Sequence, residues 1–396
     1  MPKMTVKDIE VRNKRVLVRV DFNVPLNEKT GEITDDNRIR AALPTIQYLT
    51  EQRAKVILMS HLGRPKGKVV EDLRLGIAAR RFSEILGQPV SMAPDCVGSD
   101  VENMVDTMKA GDVLMLENLR FHAEEESGDA SFARALARLG DVYVNDAFGA
   151  AHRAHASVSA IAQYLPAAAG FLMEKEVENL DKILESPARP FAALLGGAKI
   201  SDKVSMLENI MDKVDYIMVG GGMAATFLKA KSYEVGQSLI ESDMLETSKL
   251  LMELAQKEKV NLMLPVDVVV ADEVSDEAKT EIVSVEKIPK EKRIVDMGPQ
   301  TVSDFSRELQ KCKTIFWNGP MGIFEIPRFA RGTQELAKLL AGLEAMTVIG
   351  GGSTAEAVSD LGLAGKMTFV STGGGASLEF LSGDKLPGVE ALLDRK

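Results

Sequence analysis

The chain has 396 residues, 45% hydrophobic and 27% charged, with a net charge of -10, which suits about two globular domains of 150–200 residues. An excess of acid argues against general binding to nucleic acid or anionic membrane, because those partners need a basic face. No stretch reaches ~18 consecutive apolar residues, residues 1–10 carry no targeting pattern, and Cys96 and Cys312 lack CxxC spacing, so a cytoplasmic protein without membrane span, disulfide framework or zinc site is expected.

Short β-branched runs alternate with helical patterns, as in parallel βαβ units. In the first half, strands are predicted at 16–20, 55–59, 112–116 and 142–145, with helices at 39–51 and 75–86. Pro44 falls early in the first helix, where a proline is best tolerated. Residues 171–184 form an amphipathic pattern, with Leu172, Val177, Leu180 and Ile183 on one side, ended by Ser186-Pro187. This helix is either a hinge between two domains or an ordinary packing helix. Further strands are predicted at 191–195, 216–219, 267–271, 314–317, 346–349 and 367–370. The expected class is α/β, two doubly wound parallel-sheet (Rossmann-like) domains joined by a hinge helix, divided into 1–170, 171–185, 186–378 and a tail, 379–396.

Every run of adjacent glycines lies in the second half, at 196–197, 220–222, 350–352 and 373–375. All four histidines, with Arg19, Arg38, Arg64, Arg120 and Arg153, lie in the first. Bare glycine amides cradle phosphates, whereas arginine and histidine grip small anions from several directions. Two half-sites for two phosphorylated ligands follow.

The runs at Gly220 and Gly350 fit the G-x-G-x-x-[GA] shape of a dinucleotide site. That reading needs an acid ~20 residues on, at the end of the next strand. Residues 370–372 hold none, and Glu234 and Glu241 sit where no strand is predicted. A Walker A motif is also absent. Lys199 and Lys203 follow a strand and the 196–197 glycines; on a helix they would share a face and reach one polyphosphate, the alternative being a solvated face. The 350–354 and 372–377 turns precede helices, so their free N–H groups suit a transferring phosphoryl group, unless they are only tight βα turns. In the first half, Asp36 or Asn37 is expected to cap a helix, which puts Arg38 in the first turn against the dipole unless an anion is bound. The loops at 60–64, 119–122 and 151–155 each follow a strand end and converge on an anion pocket. Metal binding by the histidines lacks carboxylates at ligand spacing.

Taken together, these segments make the chain closely resemble the phosphoglycerate kinase family over nearly its whole length. The resemblance is carried by RVDFNVP at 19–25, TDDNRIRAALPTI at 34–46, SHLGRP at 60–65, LENLRFH at 116–122 and NDAFGAAHRAHAS at 145–157. It continues through GGAKISDK at 196–203, GGGMAATFL at 220–228, LPVDVVVADE at 264–273, NGPMGIFE at 318–325 and STGGGASLE at 371–379.

The resemblance implies reversible phosphoryl transfer from 1,3-bisphosphoglycerate to ADP, giving 3-phosphoglycerate and ATP. Asp21, Phe22, Asn23, Arg38, His61, Leu62, Gly63, Arg64, Arg120 and Arg153 would hold the three-carbon acid. Gly197, Lys199, Lys203, Gly221, Gly322, Glu325, Gly351, Gly352, Ser353 and Thr354 would hold the nucleotide, with Glu325 on the ribose. Arg38, Lys199, Gly373 and Gly374 would stabilise the phosphoryl group in flight, and Mg²⁺ would accompany ATP or ADP. The family pattern further implies a monomer, hinge closure, and a tail that packs on the first domain. Where the commonest pattern has Asp as a magnesium ligand, this chain has Ser353, so the metal would be held mainly through nucleotide phosphates. A dehydrogenase and a non-catalytic phosphate-binding scaffold remain the competing classes.

Overall fold

A computed structural model describes residues 2–27 and 29–395. The chain divides into two compact units, residues 1–178 with 385–396 and residues 179–384. Among the described residues, no helix is long and apolar enough to cross a membrane.

The first unit is built on a parallel sheet of β1 (Arg15–Arg19), β2 (Lys55–Met59), β3 (Val90–Met92), β4 (Val113–Met115), β5 (Val142–Asn145) and β6 (Ala167–Ala169). Its order is β3-β4-β2-β1-β5-β6. Central strands such as VLVR and VILM are buried on both faces, which is why they read as unbroken apolar runs. Helices Asn37–Glu51 and Gly76–Leu86 cover one face through Ile39, Ile46, Leu49 and Phe82. Pro44 lies in the eighth of fifteen positions of Asn37–Glu51, well inside rather than early. The helix starts two residues sooner than the apolar pattern shows. Residues near the C-terminus join this unit, with Leu393 N donating to the Ala167 carbonyl and Asn145 Nδ2 to that of Gly388.

The second unit carries a parallel sheet of β7 (Phe191–Leu195), β8 (Tyr216–Val219), β9 (Asn261–Met263), β13 (Thr314–Asn318), β14 (Met346–Gly350) and β15 (Phe369–Val370), ordered β15-β14-β13-β7-β8-β9. A separate antiparallel sheet of β10 (Asp267–Ala271), β11 (Thr280–Ser284) and β12 (Arg293–Met297) stands beside this topology. The sequence pattern shows only β10 of these three and does not separate it from the parallel strands. The outer strand β11 is mostly exposed, so it carries no inward apolar alternation. The helix Phe171–Glu185 contains the point at which the chain passes from one unit to the other.

Candidate active site

In the first unit, the loops at the carboxyl ends of β1, β2, β4 and β5 supply the expected anion ligands, where open α/β sheets bind them. Arg38 Nη1 donates to Asp21 Oδ2 at 2.9 Å and to the Asn23 carbonyl at 3.2 Å. Asn23 Oδ1 accepts from Gly63 N at 2.9 Å, and Ser60 Oγ from Phe22 N at 2.9 Å. Arg120 Nη1 donates to the Gly63 carbonyl at 2.8 Å. Gly63 has φ +63°, and a Cβ there would come within 2.8 Å of Leu73 Cδ2, so both the turn and the close approach require glycine. Phe22 and Leu62 are core side chains; Phe22 packs on Phe82 at 5.3 Å. Arg64 is exposed, and Arg153 is half-buried with Nε 3.2 Å from His152 Nε2.

The cluster holds more positive charge than it neutralises. Burial pushes Arg120 down to about 10, Arg153 and Arg19 add to this, and its Nε is buried without a hydrogen-bond partner. Glu126 opposes the shift from 3.3 Å. Burial first, then Arg19, Arg120, Arg38 and Arg153, holds His61 well below the ordinary histidine range. Burial first, then Arg120, Arg19, Arg153 and His152, brings His155 to about 4. Neutral imidazoles among guanidiniums that Asp21 and Glu126 only partly offset form a site that an anion would complete.

Asp36 stands at the N-cap position of Asn37–Glu51, but its carboxylate makes no cap hydrogen bond. It pairs instead with Arg40 and Arg81. No acid lies in the first turn, and the cation of Arg38, which opposes the helix dipole, is paired from outside the helix by Asp21 at 2.9 Å. Elsewhere, Asp95, Cys96 and His122 bring possible ligand atoms within 4.8 Å of one another. Asp95 is the carboxylate partner that sequence spacing does not reveal.

The second unit contains a cavity of about 740 Å³ lined by Gly197, Gly221, Gly322, Glu325 and Ser353 among the expected residues. Lys199, Lys203, Gly351, Gly352 and Thr354 are not in its wall. The helix after β7 is Val204–Ile210. Lys199 and Lys203 therefore lie in the preceding turn, and the shared helical face does not exist. Lys199 is exposed, whereas Lys203 is buried, its pKa lowered chiefly by that burial. Its Nζ lies beside Gly197, 3.6 Å from where a Cβ would stand. Glu241, weighed for a dinucleotide ribose, accepts from Ile200 N and from Ser201 Oγ and ties down this same turn.

The glycines differ in what occupies their amides. Gly197 N donates to the Pro320 carbonyl and Gly221 N to that of Met321, each at 2.9 Å. A Cβ on Gly322 would lie 2.4 Å from Asp296 Oδ1. These glycines permit backbone and carboxylate to pack closely behind the cavity. Gly351, at φ +85°, precedes helix Gly352–Asp360, which has no side-chain cap. Thr354 is buried, and its hydroxyl accepts from Gly319 N. Gly373 N donates to Ser371 Oγ at 3.0 Å. That amide is already engaged, unlike the picture of two free amides at 373 and 374.

Sequence reasoning missed several cavity features. Leu239 and Val274 line it as exposed apolar side chains, a surface suited to a flat heteroaromatic base. Asn318, at the end of β13, is not in the cavity wall but is buried with Nδ2 unpartnered beside Gly350 and Gly351. An orphan donor against a glycine turn is a signal for an oxygen-rich ligand. Asp296, also in the wall, is pushed up to about 7 by burial, although it accepts from Gly332 N and Met297 N.

Residues 6–384 match the family described as phosphoglycerate kinase. Phosphoglycerate kinases of Moorella thermoacetica and Pelotomaculum thermopropionicum are 54% and 55% identical to this chain, each over 395 residues that span the whole of both sequences. The solved phosphoglycerate kinase of Coxiella burnetii shares 41% identity at a TM-score of 0.87 over 98% of each chain. That of Pyrococcus horikoshii shares 34% at 0.84, again over 98% of each. With its glycine-walled cavity and its arginine-rich strand edge, the chain belongs to the phosphoglycerate kinase family.

Proposed function

We propose that the first unit holds the phosphoglycerate and the second the nucleotide. The reaction is that of the family, reversible phosphoryl transfer from 1,3-bisphosphoglycerate to ADP, giving 3-phosphoglycerate and ATP in glycolysis. The observation that carries the assignment is the cluster of Arg38, Arg120, Arg153 and neutral His61, which lacks enough counter-charge of its own. A spectator phosphate and a carboxylate supply it.

On the nucleotide side, Leu239 and the small residues of the cavity receive the base, and Glu325 the ribose. Asn318, Lys203, Lys199 and the turns at Gly351–Thr354 and Gly374 face phosphate oxygens. Thr354 acts by holding the 319 turn, and Gly373 by fixing the loop that presents Gly374. The turn after Gly351 offers the Ser353 hydroxyl and no carboxylate, which fits an ion that arrives on the nucleotide, held by phosphate oxygens and water. Mg²⁺ then neutralises phosphate charge.

In the ATP-consuming direction the attacking group is a carboxylate, ionised at neutral pH, so no general base is needed. Arg38, Lys199 and the Gly374 amide stabilise the equatorial oxygens in flight, and catalysis rests on positioning and electrostatics. Exclusion of water protects the acyl phosphate from hydrolysis, so closure about the 171–185 helix belongs to this reading. So do a monomeric state and a cytoplasmic location, where the substrates of glycolysis are found.

The test is a coupled assay of ATP formation from ADP and 1,3-bisphosphoglycerate. Arg38→Ala should lower kcat by about 10²–10³ with circular dichroism unchanged. Full activity in a folded variant would remove Arg38 from the transition state. Nucleotide and acid binding without turnover in the native chain would favour a scaffold.

A further inference from the structure

Arg19 is wholly buried at the end of β1, an uncommon position for a guanidinium. All three of its nitrogens have partners. Nε donates to Ser157 Oγ at 2.9 Å, Nη1 to the Val20 carbonyl, and Nη2 lies 3.0 Å from His61 Nδ1. Ser157 passes the contact on. Its Oγ donates to Glu125 Oε1 at 2.6 Å and its N to Glu125 Oε2 at 2.9 Å. Glu125 is fully buried, and His155 Nδ1 lies 3.9 Å from its Oε1.

Arginine does not release its proton and accepts no hydrogen bond. His61 Nδ1 must therefore be the acceptor of the Arg19 contact, and a neutral ring then carries its proton on Nε2. A second proton on Nδ1 would set two donors against each other. The charges of Arg120, Arg38 and Arg153 also oppose an imidazolium at this position.

We infer that Glu125, Ser157 and Arg19 form a positioning chain that holds His61 as its Nε2–H tautomer, so that the ring donates one hydrogen bond to an oxygen of the bound three-carbon acid. The inference rests on the reading that the first unit holds the phosphoglycerate. It assigns His61 the work of a neutral donor, while the surrounding arginines supply the charge. Arg19, Ser157 and Glu125 act through His61 and are positioning residues.

The measurement is long-range ¹H–¹⁵N correlation on the full chain with labelled histidine, with His61 assigned through His61→Gln. In the free native protein His61 should show a protonated Nε2 and a bare Nδ1, unchanged between about pH 6 and 8, where an ordinary histidine titrates. Addition of 3-phosphoglycerate should shift the Nε2–H signal. In Ser157→Ala and Arg19→Met the two tautomers should mix and the ring should begin to titrate. KM for phosphoglycerate should rise about tenfold, in keeping with loss of one hydrogen bond, with the nucleotide KM unchanged. Arg19→Lys should restore part of the loss. If Arg19→Met does not fold, the native spectrum and Ser157→Ala decide the matter. A protonated Nδ1 in the native protein at pH 7 would overturn the inference. A correct tautomer with an Nε2–H signal indifferent to phosphoglycerate would instead overturn the contact with the acid, and with it the substrate reading of His61.

Discussion

Ser353 shows how much one side chain at a helix start can change. It is exposed in the first turn of Gly352–Asp360 and belongs to the cavity wall. A carboxylate there would be favoured by the helix dipole and would offer a hard cation a better ligand than a hydroxyl. Ser353→Asp should therefore lower the free Mg²⁺ needed for half-maximal activity several-fold, read by titrating activity against the ion at fixed ADP. An unchanged or greater requirement would sink the idea that a hydroxyl at 353 leaves the metal with weaker anchoring by the protein. Legibility at this scale followed chemistry rather than position. Arg38, His61 and Arg120 announce themselves by residue type. Phe22 and Leu62 belong to the core, and the hydroxyl of Thr354 and the amide of Gly373 already have partners inside the protein. Asn318 opens the motif at 318–325, but its unpartnered donor was not legible, because an orphan donor exists only once burial has removed its water.

Helix Phe171–Glu185 depends on a residue outside it. Asp146 Oδ1 accepts from Leu172 N at 2.9 Å and Met173 N at 3.2 Å, and a Cβ on Gly170 would fall 2.1 Å from that oxygen. Burial pushes this carboxyl up to about 6, against the opposing backbone donors. A raised folded-state pKa means that the native protein binds the proton more tightly than the unfolded chain does. Its contribution is complete below the unfolded value of about 3.9 and is lost as pH rises through about 6. Asp146→Asn keeps an acceptor and cannot ionise. Between about pH 4 and 7 the native protein should lose on the order of 2 kcal/mol relative to this variant, measured by denaturant unfolding of both at several pH values. A constant difference would show that folding does not raise the pKa of Asp146. Central strands were readable because burial on both faces demands apolar runs. The edge strands β3, β6 and β9, three residues each, carry too short a pattern to be seen, whereas β15 falls within the strand predicted at 367–370.

For the whole molecule, the proposed closure predicts a smaller radius of gyration by small-angle scattering when 3-phosphoglycerate and nucleotide are both bound. An unchanged profile in the ternary complex would count against it. The sequence by itself determined the α/β class, the family and the segregation of arginine and histidine from glycine runs, because these reside in residue type, order and spacing. Tertiary structure alone decided that β10–β12 form an antiparallel sheet and that Lys199 and Lys203 lie in a turn. It also decided which glycine amides have partners and which nitrogen of His61 faces Arg19. The physical reason is common to all of these. Burial, hydrogen-bond partnership and the field of neighbouring charges are set by residues far apart in the chain, and no local pattern encodes them.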